Sequence, residues 1–347
     1  MKISLCIPQY NRVAFLMKNL RMLEQQDYAD VEVIVSDDCS TDDTEQQVTE
    51  LAKQYKYPLI YSRNPANFGY DRNLRRSMEL ATGEYCFILG NDDSLNFPNA
   101  LSMLADFLKK NDYPDLGYCN MAEAADPTKI FERATESAVI GTGPGIAFSY
   151  YSCFSFVAGL IFKRSVFNEF NTNQHDGSIY VQIYLATVMT SSGKRLFSIK
   201  EPLVLKDIEV EGVKRNSYVD KIAKSWKEYK IEDGGLPSVI NVLISAFRDA
   251  GVLSKRLILK IFRRIYTYTF PNWIIDYKGK GSYVASMGLI SGMRPGRNNN
   301  FRLLGVAGKG EIYARYYVLS TAALLFPYSL FAKLKNKLYA FVKSRSK

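Results

Sequence analysis

Three consecutive polar residues, Asn91, Asp92 and Asp93, end an otherwise apolar stretch of the chain. The segment before them, EYCFILG at 84–90, has the composition of a buried strand. Adjacent carboxylates at a strand end suit a hard divalent cation, Mg²⁺ or Mn²⁺, which prefers oxygen ligands. A cation held by so few protein ligands keeps open positions for a diphosphate and can neutralise its charge. Aspartates at a loop tip can also cap helices, so this segment alone leaves both functions open.

Strand-like runs and segments with helical apolar spacing alternate along the first 120 residues. The predicted strands are 3–8, 31–38, 59–64, 84–90 and 116–122. This alternation predicts an α/β fold with a mostly parallel sheet flanked by helices. Ligands bind outside the carboxyl ends of such strands, so Gln9 and Asp37–Asp38 are expected at the same edge as Asp92 and Asp93. Further along, a strand is expected at about 155–163 and a helix at 178–194.

Four segments, in this order and spacing, resemble the signatures of family-two glycosyltransferases with the GT-A fold. They are SLCIPQYNR, VEVIVSDDCSTDDT, NPANFGYDRN and EYCFILGNDDSL. The resemblance covers residues 3–125 well and 150–205 weakly. It implies the Rossmann-like GT-A fold of nucleotide-diphospho-sugar transferases and transfer of a sugar from a nucleotide-sugar donor to a saccharide acceptor. A dinucleotide-binding domain is disfavoured, because IPQYNR after the first strand contains no glycine.

The resemblance also implies roles for residues of a nucleotide pocket. Pro8 and Tyr10, at the end of the first strand, would form part of its wall. Asp38 would accept a hydrogen bond from the nucleotide base, and Arg72 would flank the nucleotide. Gln9 departs from the family pattern, in which threonine is commoner at this position.

The segment Asn91–Asp92–Asp93 stands where the family has its Asp-x-Asp motif. By the resemblance, Asp92 contacts the ribose or a metal-bound water, and Asp93 ligates the Mn²⁺ or Mg²⁺ cofactor. Asn91 belongs to the same nucleotide-sugar site, but many family members have aspartate there. An asparagine can still accept a hydrogen bond, although it carries no charge.

The resemblance implies that sugar transfer inverts the anomeric centre. Inverting transfer needs a base on the face of the sugar opposite the leaving diphosphate, to take the proton of the acceptor hydroxyl. In the family this base is usually an Asp or Glu shortly before the helix near residue 180. The resemblance therefore implies Asp176, in QHDGSIY, as the catalytic residue. His175, Asp207 and Glu209 are the alternatives.

Charge divides the chain into two parts. Residues 1–210 contain 20 Lys and Arg against 27 Asp and Glu, whereas residues 211–347 contain 25 against 8. We expect a GT-A glycosyltransferase domain over 1–210 and a mainly helical, basic region over 211–347. The basic region would face a polyanion or a phosphorylated substrate, although a simply solvated basic surface is the alternative. Nucleic acid is disfavoured, because no nucleic-acid-binding signature occurs.

Residues 316–347 have the composition of a membrane-associating tail. The uncharged segment at 316–332 is slightly shorter than the about 20 apolar residues of a membrane span. Six basic residues and no acidic residue follow it. Apolar and basic residues together are typical of an interfacial anchor on an anionic leaflet. A C-terminal helix packed on the domain is the alternative.

Five scattered cysteines and the short apolar N-terminal run are typical of a protein of the reducing cytosol. We therefore expect a cytoplasmic protein, peripheral at the inner face of the plasma membrane. Its acceptor would be a saccharide linked to a polyprenyl diphosphate, such as an O-antigen or capsule repeat unit. The alternative function is a non-catalytic nucleotide-sugar or glycan-binding protein that retains the fold.

Overall fold

A computed structural model describes residues 1–213, 236–280 and 283–334 of the 347-residue chain. These residues form two compact units. The first unit comprises residues 1–177 and 181–213, and the second comprises 178–180, 236–280 and 283–334. The domain boundary predicted after residue 210 lies close to residues 214–235, which are outside the described part, and it stays a prediction.

The first unit is built on one ten-stranded sheet with helices on both faces. Its strands are β1 (Ile3–Gln9), β2 (Val31–Asp37), β3 (Leu59–Arg63), β4 (Tyr85–Ile88), β5 (Ser94–Leu95), β6 (Leu116–Glu123), β7 (Asp126–Phe131), β8 (Ala138–Gly141), β9 (Leu160–Lys163) and β10 (Leu196–Lys206). Its helices are α1 (Val13–Leu23), α2 (Thr44–Ala52), α3 (Tyr70–Glu79), α4 (Ala100–Lys110), α5 (Pro144–Tyr150), α6 (Arg164–Phe170) and α7 (Val181–Ser191).

The strands follow the order β3-β2-β1-β4-β9-β6-β10-β5, with β7 beside β6 and β8 beside β10. Strands β1 to β4 pair in parallel, as the alternation of strands and helices predicts. The other half of the sheet is mixed, because β9 runs antiparallel between β4 and β6. In the parallel half, the register places Gln9 beside Asp37 at the carboxyl ends of β1 and β2.

Strands β1, β2 and β4 of the parallel half are buried on both faces. Every residue of β2 is buried, and α1 contributes Leu16, Leu20 and Leu23 to the core from one face of the helix. Full burial of each such leucine contributes about 1.5–3 kcal/mol. The buried strands therefore hold the first residues of the loops at the carboxyl ends of β1, β2 and β4 in place.

A buried carboxylate, Glu32 of β2, joins β1, β2 and the turn that precedes β4. It accepts hydrogen bonds from Thr82 N at 2.6 Å, Thr82 Oγ1 at 2.7 Å and Gly83 N at 3.1 Å, and it also binds Ser4 and Lys2. Burial raises the pKa of Glu32, but the hydrogen bonds from Lys2, Ser4 and Thr82 outweigh burial and bring the pKa to about 2.

We expect Glu32→Gln to lower the free energy of unfolding at pH 7 by about 1–3 kcal/mol, because hydrogen bonds to a charged acceptor are lost. The folded-state pKa of Glu32 lies below the ordinary value of 4.5. Its contribution is therefore fully present above that value and is lost as pH falls toward 2. Urea unfolding of both proteins at pH 7 and pH 3 tests this. A stability difference that does not change with pH would contradict it.

The second unit is helical, which confirms the mainly helical C-terminal region predicted from sequence. Its helices are α8 (Leu236–Asp249), α9 (Lys255–Arg264), α10 (Phe270–Lys280), α11 (Tyr283–Gly292), α12 (Val306–Leu325) and α13 (Tyr328–Leu334), with a π-helical segment (Ile265–Thr269) joining α9 and α10 and short 3₁₀ turns (Pro295–Arg297, Asn299–Leu303) before α12.

The uncharged segment at 316–332 does not form one continuous helix. Helix α12 ends before Pro327, and the chain bends by 100° into α13. Within the described ranges, no single helix is long and apolar enough to cross a membrane, and α12 with α13 meets that criterion only as a bent pair. Residues 335–347 of the predicted tail lie outside the described part.

Candidate active site

The loop after β1 contains two residues with left-handed backbone, Asn11 at φ 51° and Arg12 at φ 64°. Asn11 holds this turn against the loop after β2. Its backbone N donates to Ser40 Oγ at 2.7 Å, and its Oδ1 accepts from Thr41 N at 2.9 Å. The left-handed conformation costs an arginine about 1–2 kcal/mol, whereas asparagine adopts it more readily. The strained turn brings the Arg12 side chain to the residues that follow β4.

Arg12 and Gln9 hold the first two residues of the Asn91–Asp93 segment. Arg12 Nη2 donates to Asp92 Oδ2 at 2.8 Å, and Arg12 Nη1 donates to Asn91 Oδ1 at 3.3 Å. On its other side, Asn91 Nδ2 donates to Gln9 Oε1 at 2.7 Å. The structure thus brings Gln9, Asn91 and Asp92 together, as the sequence predicts. Arg12 was not predicted, because nothing in local periodicity marks it.

Asp93 is the most deeply buried carboxylate of this segment, with 4% of its surface exposed. Its Oδ1 accepts a hydrogen bond from the backbone N of Asp207 at 3.0 Å. Burial raises the pKa of Asp93 to about 7, and the nearby charges of Asp92 and Asp207 act in the same direction. A carboxyl group in this state gains strongly from an added cation.

Glycine at position 90 leaves room for both carboxylates. A Cβ atom there would lie 2.4 Å from Asp93 Oδ2 and 3.3 Å from Asp92 Oδ1. These two oxygens therefore face the same small space beside the backbone. Any other residue at Gly90 would displace Asp93.

Asp207 lies beside Asp93 although 114 positions separate the two residues in the sequence. It follows β10, which pairs antiparallel with the short strand β5 directly after Asp93. The Asp207 side chain binds Lys206 Nζ at 2.7 Å, and the backbone N of Ile208 donates to Asp92 O at 2.8 Å. The sequence indicates Asp207 only as an alternative base. Its position beside Asp93 depends on a strand pairing that sequence spacing does not show.

Asp38 organises the neighbouring loop before α3. Its Oδ1 accepts from Phe68 N at 2.8 Å and from Asn64 Nδ2 at 3.1 Å, and its Oδ2 accepts from Gly69 N at 2.8 Å. Its backbone N donates to Gln9 O at 2.8 Å, which links it to the Asn91 group. Asp38 therefore lies at the predicted edge, and its role toward a nucleotide base stays a prediction.

The other predicted pocket residues lie on or beside the same loops. Pro8 pairs with Ser36 in the sheet, and Tyr10 is 44% exposed just after β1. The guanidinium of Arg72, in the first turn of α3, lies 3.5 Å from the centre of the Phe68 ring. Arg72 thus stacks on the loop that Asp38 holds. The roles of Pro8, Tyr10 and Arg72 toward a nucleotide stay predictions.

Asp176, the predicted catalytic base, forms a two-pronged ion pair with Arg75 of α3. Arg75 Nε donates to Asp176 Oδ1 at 2.9 Å, and Nη2 donates to Oδ2 at 2.7 Å. Arg75 also binds Glu79 and Asn171, each at 3.0 Å. Among the described residues, no hydrogen bond joins Asp176 to the Asn91–Asp93 segment. Arg75 was missed, although it lies one helical turn after Arg72.

His175, the neighbouring alternative, stacks on Tyr184 of α7 with ring centres 4.0 Å apart. The backbone O of Glu209, a more distant alternative, accepts a hydrogen bond from Lys18 Nζ at 2.6 Å. Neither contact selects a base, so the choice of Asp176 stays a prediction.

Two carboxylates, Asp92 and Asp93, lie at this edge, and Asp92 is paired with Arg12. No group of three His, Cys, Asp or Glu side chains suited to a metal occurs in the part of the chain that the structure describes. The shared space beside Gly90 and the burial of Asp93 nevertheless fit one divalent cation. Such a cation would take its remaining ligands from water and a bound diphosphate, as Mg²⁺ commonly does.

The fold is shared with solved sugar transferases. TarS 1-349 of S. aureus, solved in complex with UDP-GlcNAc, superposes with a TM-score of 0.60 at 17% identity, covering 93% of this chain and 91% of that one. The mannosyltransferase PcManGT of Pyrobaculum calidifontis, solved with GDP-Man and Mn²⁺, gives 0.52 at 16% identity, covering 93% and 87%. The predicted α/β, GT-A fold is thereby confirmed.

Sequence comparison then defines the family. The family model for Glycosyl transferase family 2 matches residues 4–170. The abequosyltransferase RfbV of Salmonella typhimurium is 30% identical over 245 residues, which are 64% of this chain and 73% of that protein. A Campylobacter jejuni GalNAc(5)-diNAcBac-PP-undecaprenol beta-1,3-glucosyltransferase is 31% identical over 130 residues, 38% of this chain and 42% of that protein.

The chain therefore belongs to glycosyl transferase family 2. This confirms the predicted class: the protein is a glycosyltransferase that uses a nucleotide-sugar donor. The catalytic interpretation is favoured over a non-catalytic binding protein of the same fold.

Proposed function

We propose that this protein transfers a sugar from its nucleotide-sugar donor to a lipid-linked saccharide, an O-antigen or capsule repeat unit on a polyprenyl diphosphate. The use of a nucleotide-sugar donor at this site is supported by the pair Asp92–Asp93, which lies at the carboxyl end of β4 beside the loop that Asp38 holds. The acceptor half is supported by the names of two relatives, one an abequosyltransferase and the other acting on a PP-undecaprenol substrate.

In this proposal Asp93 holds Mn²⁺ or Mg²⁺, and Asp92 contacts the ribose or a metal-bound water. A cation bound by Asp93 would neutralise charge on the departing nucleoside diphosphate. Asp38 receives the base, with Pro8, Tyr10 and Arg72 around the nucleotide. Burial of Asp93 and the hydrogen bonds of the Asp38 loop support this arrangement, because both groups are fixed before a donor arrives.

Asp176 is the proposed base for an inverting displacement. It would take the proton of the acceptor hydroxyl as the bond to the anomeric carbon forms and the bond to the diphosphate breaks. Its carboxylate is 22% exposed, so an acceptor can reach it, and the two bonds from Arg75 fix its orientation.

The acceptor's lipid places the protein at the inner face of the plasma membrane in this proposal. The described residues of the second unit include 14 Lys and Arg against 3 Asp and Glu. Several large apolar side chains of α11 and α12 are exposed there, among them Tyr283, Met287, Val318 and Leu325. Cationic and exposed apolar side chains together favour binding to an anionic bilayer surface.

Removal of residues 316–347 is expected to reduce binding to vesicles that contain anionic phospholipid by about tenfold or more, since both apolar and charged contacts are lost. Sedimentation of full-length and shortened protein with anionic and with zwitterionic vesicles measures this. Equal and negligible binding by both proteins would contradict the membrane proposal.

Measurement of nucleotide binding tests the proposed donor site. Calorimetric titration with UDP, GDP, dTDP and CDP, each with Mn²⁺, should show one nucleotide bound much more tightly than the others. The sugars of that nucleotide are then screened by release of nucleoside diphosphate. If the folded protein binds none of the four, the proposed donor site is wrong.

A further inference from the structure

Gln9 and Asn91 depart from the family pattern at two positions that contact each other. Asn91 Nδ2 donates to Gln9 Oε1, while Gln9 Nε2 donates to Asn11 O and to Thr44 Oγ1. Gln9 is fully buried, so turning its amide would lose both of those bonds. An aspartate at 91 would set a carboxylate oxygen against Gln9 Oε1. Asparagine is therefore the residue that this buried glutamine requires.

This pairing lowers the negative charge of the site. An aspartate at 91 would supply a third carboxylate, and Asn91 supplies none. Arg12 lowers the charge further, because its guanidinium binds Asp92 Oδ2 at 2.8 Å and Asn91 Oδ1 at 3.3 Å. Asn91 and Asp92 are both bonded to Arg12. Among the described contacts, the Asp93 carboxyl group has no cationic side chain bonded to it.

The Arg12 position carries two energetic costs, one in its backbone and one in its side chain. Its backbone is left-handed at φ 64°, next to a second left-handed residue, Asn11. Its Nε atom is buried and has no hydrogen-bond partner in the described part of the chain. Its guanidinium lies 4.6 Å from the Phe15 ring centre, which keeps it at the site. An arginine held with spare hydrogen-bonding capacity suits a phosphate group.

We propose that Arg12 binds the donor's diphosphate directly and shares its charge with the divalent cation, so that nucleoside diphosphate binding persists without metal. The inference rests on the proposed donor site and names a second cationic group within it. In this arrangement the guanidinium moves part of its bonding from Asp92 to phosphate oxygens when the donor binds, and Asp92 becomes available to the ribose or a metal-bound water.

The test measures binding, using full-length protein and the nucleoside diphosphate selected above, in EDTA and in Mn²⁺. We expect wild-type affinity in EDTA to be within about tenfold of that in Mn²⁺. Arg12→Gln should weaken binding in EDTA by about 10–100-fold, the effect of losing charged hydrogen bonds. The same variant should bind Mn²⁺ about 3–10-fold more tightly, measured by electron paramagnetic resonance of free Mn²⁺, because Asp92 loses its internal counter-charge.

Arg21→Gln, which removes an exposed cation of helix α1, controls for net charge and should match the wild type. Arg12→Lys keeps the positive charge but not the two-pronged hydrogen bonding of a guanidinium, so its loss of affinity in EDTA should be intermediate. This variant also provides the test if Arg12→Gln folds poorly. Wild-type binding that requires Mn²⁺, or Arg12 variants equal to wild type in EDTA, would overturn the inference. No binding by wild type under either condition would instead contradict the proposed function.

Discussion

Asp93→Asn is expected to reduce sugar transfer by about 10³-fold or more, because a metal-bound carboxylate contributes several kcal/mol to stabilising the leaving diphosphate. Asparagine has nearly the same shape and can keep the hydrogen bond from Asp207 N, but it lacks the charge that holds a cation. Mn²⁺-dependent tightening of nucleotide binding should disappear in the same variant. Release of nucleoside diphosphate and calorimetry with and without Mn²⁺ measure the two effects.

Folding can be separated from function at this position. Burial already raises the pKa of the Asp93 carboxyl to about 7, so a neutral amide is compatible with its surroundings. We therefore expect the melting temperature in the absence of divalent cation to be unchanged or higher. Asp106→Asn, on the exposed side of α4, is the matched control and should keep full activity. Full metal-dependent activity of Asp93→Asn would remove Asp93 from the cation site.

Asp176→Asn is expected to lower kcat by about 10²–10⁴-fold, the usual contribution of a general base, while leaving nucleotide affinity close to that of the wild type. The reason is that Asp176 is bonded to Arg75 on α3 and makes no described bond to the Asn91–Asp93 segment. Donor hydrolysis in the absence of acceptor should change less than transfer, because only transfer needs the acceptor proton to be removed. Steady-state kinetics with an isolated lipid-linked acceptor measures this split.

The substitution Asp207→Asn tests the alternative that Asp207 is the catalytic base. Asp207 supports Asp93 through its backbone N, which the substitution retains, so we expect no more than about a tenfold change in kcat. If Asp207→Asn removes transfer and Asp176→Asn does not, Asp207 is the base and Asp176 is a structural partner of Arg75. Arg75 keeps Glu79 and Asn171 as partners in the Asp176 variant, so folding should survive the change.

The sequence by itself determined the elements and the edge at which the site is built. Apolar runs predicted the strands at 3–8, 31–38, 59–64 and 84–90, and the structure has β1 to β4 there, running in parallel. The helix expected over 178–194 is α7, Val181–Ser191. The strand expected at about 155–163 is shorter, Leu160–Lys163. These features leave a local signal, because strands and helices that are buried on all sides appear in the sequence as continuous apolar runs.

The partners of the site residues were decided only by the tertiary structure. Arg12 meets Asp92 across 80 positions, Arg75 meets Asp176 across 101, and Asp207 meets Asp93 across 114. Each contact depends on strand order, on register or on the left-handed turn at Asn11 and Arg12, none of which leaves a periodic signal. The sequence thus predicted where carboxylates gather, and the packing of distant loops decided which cation or hydrogen-bond donor each one binds.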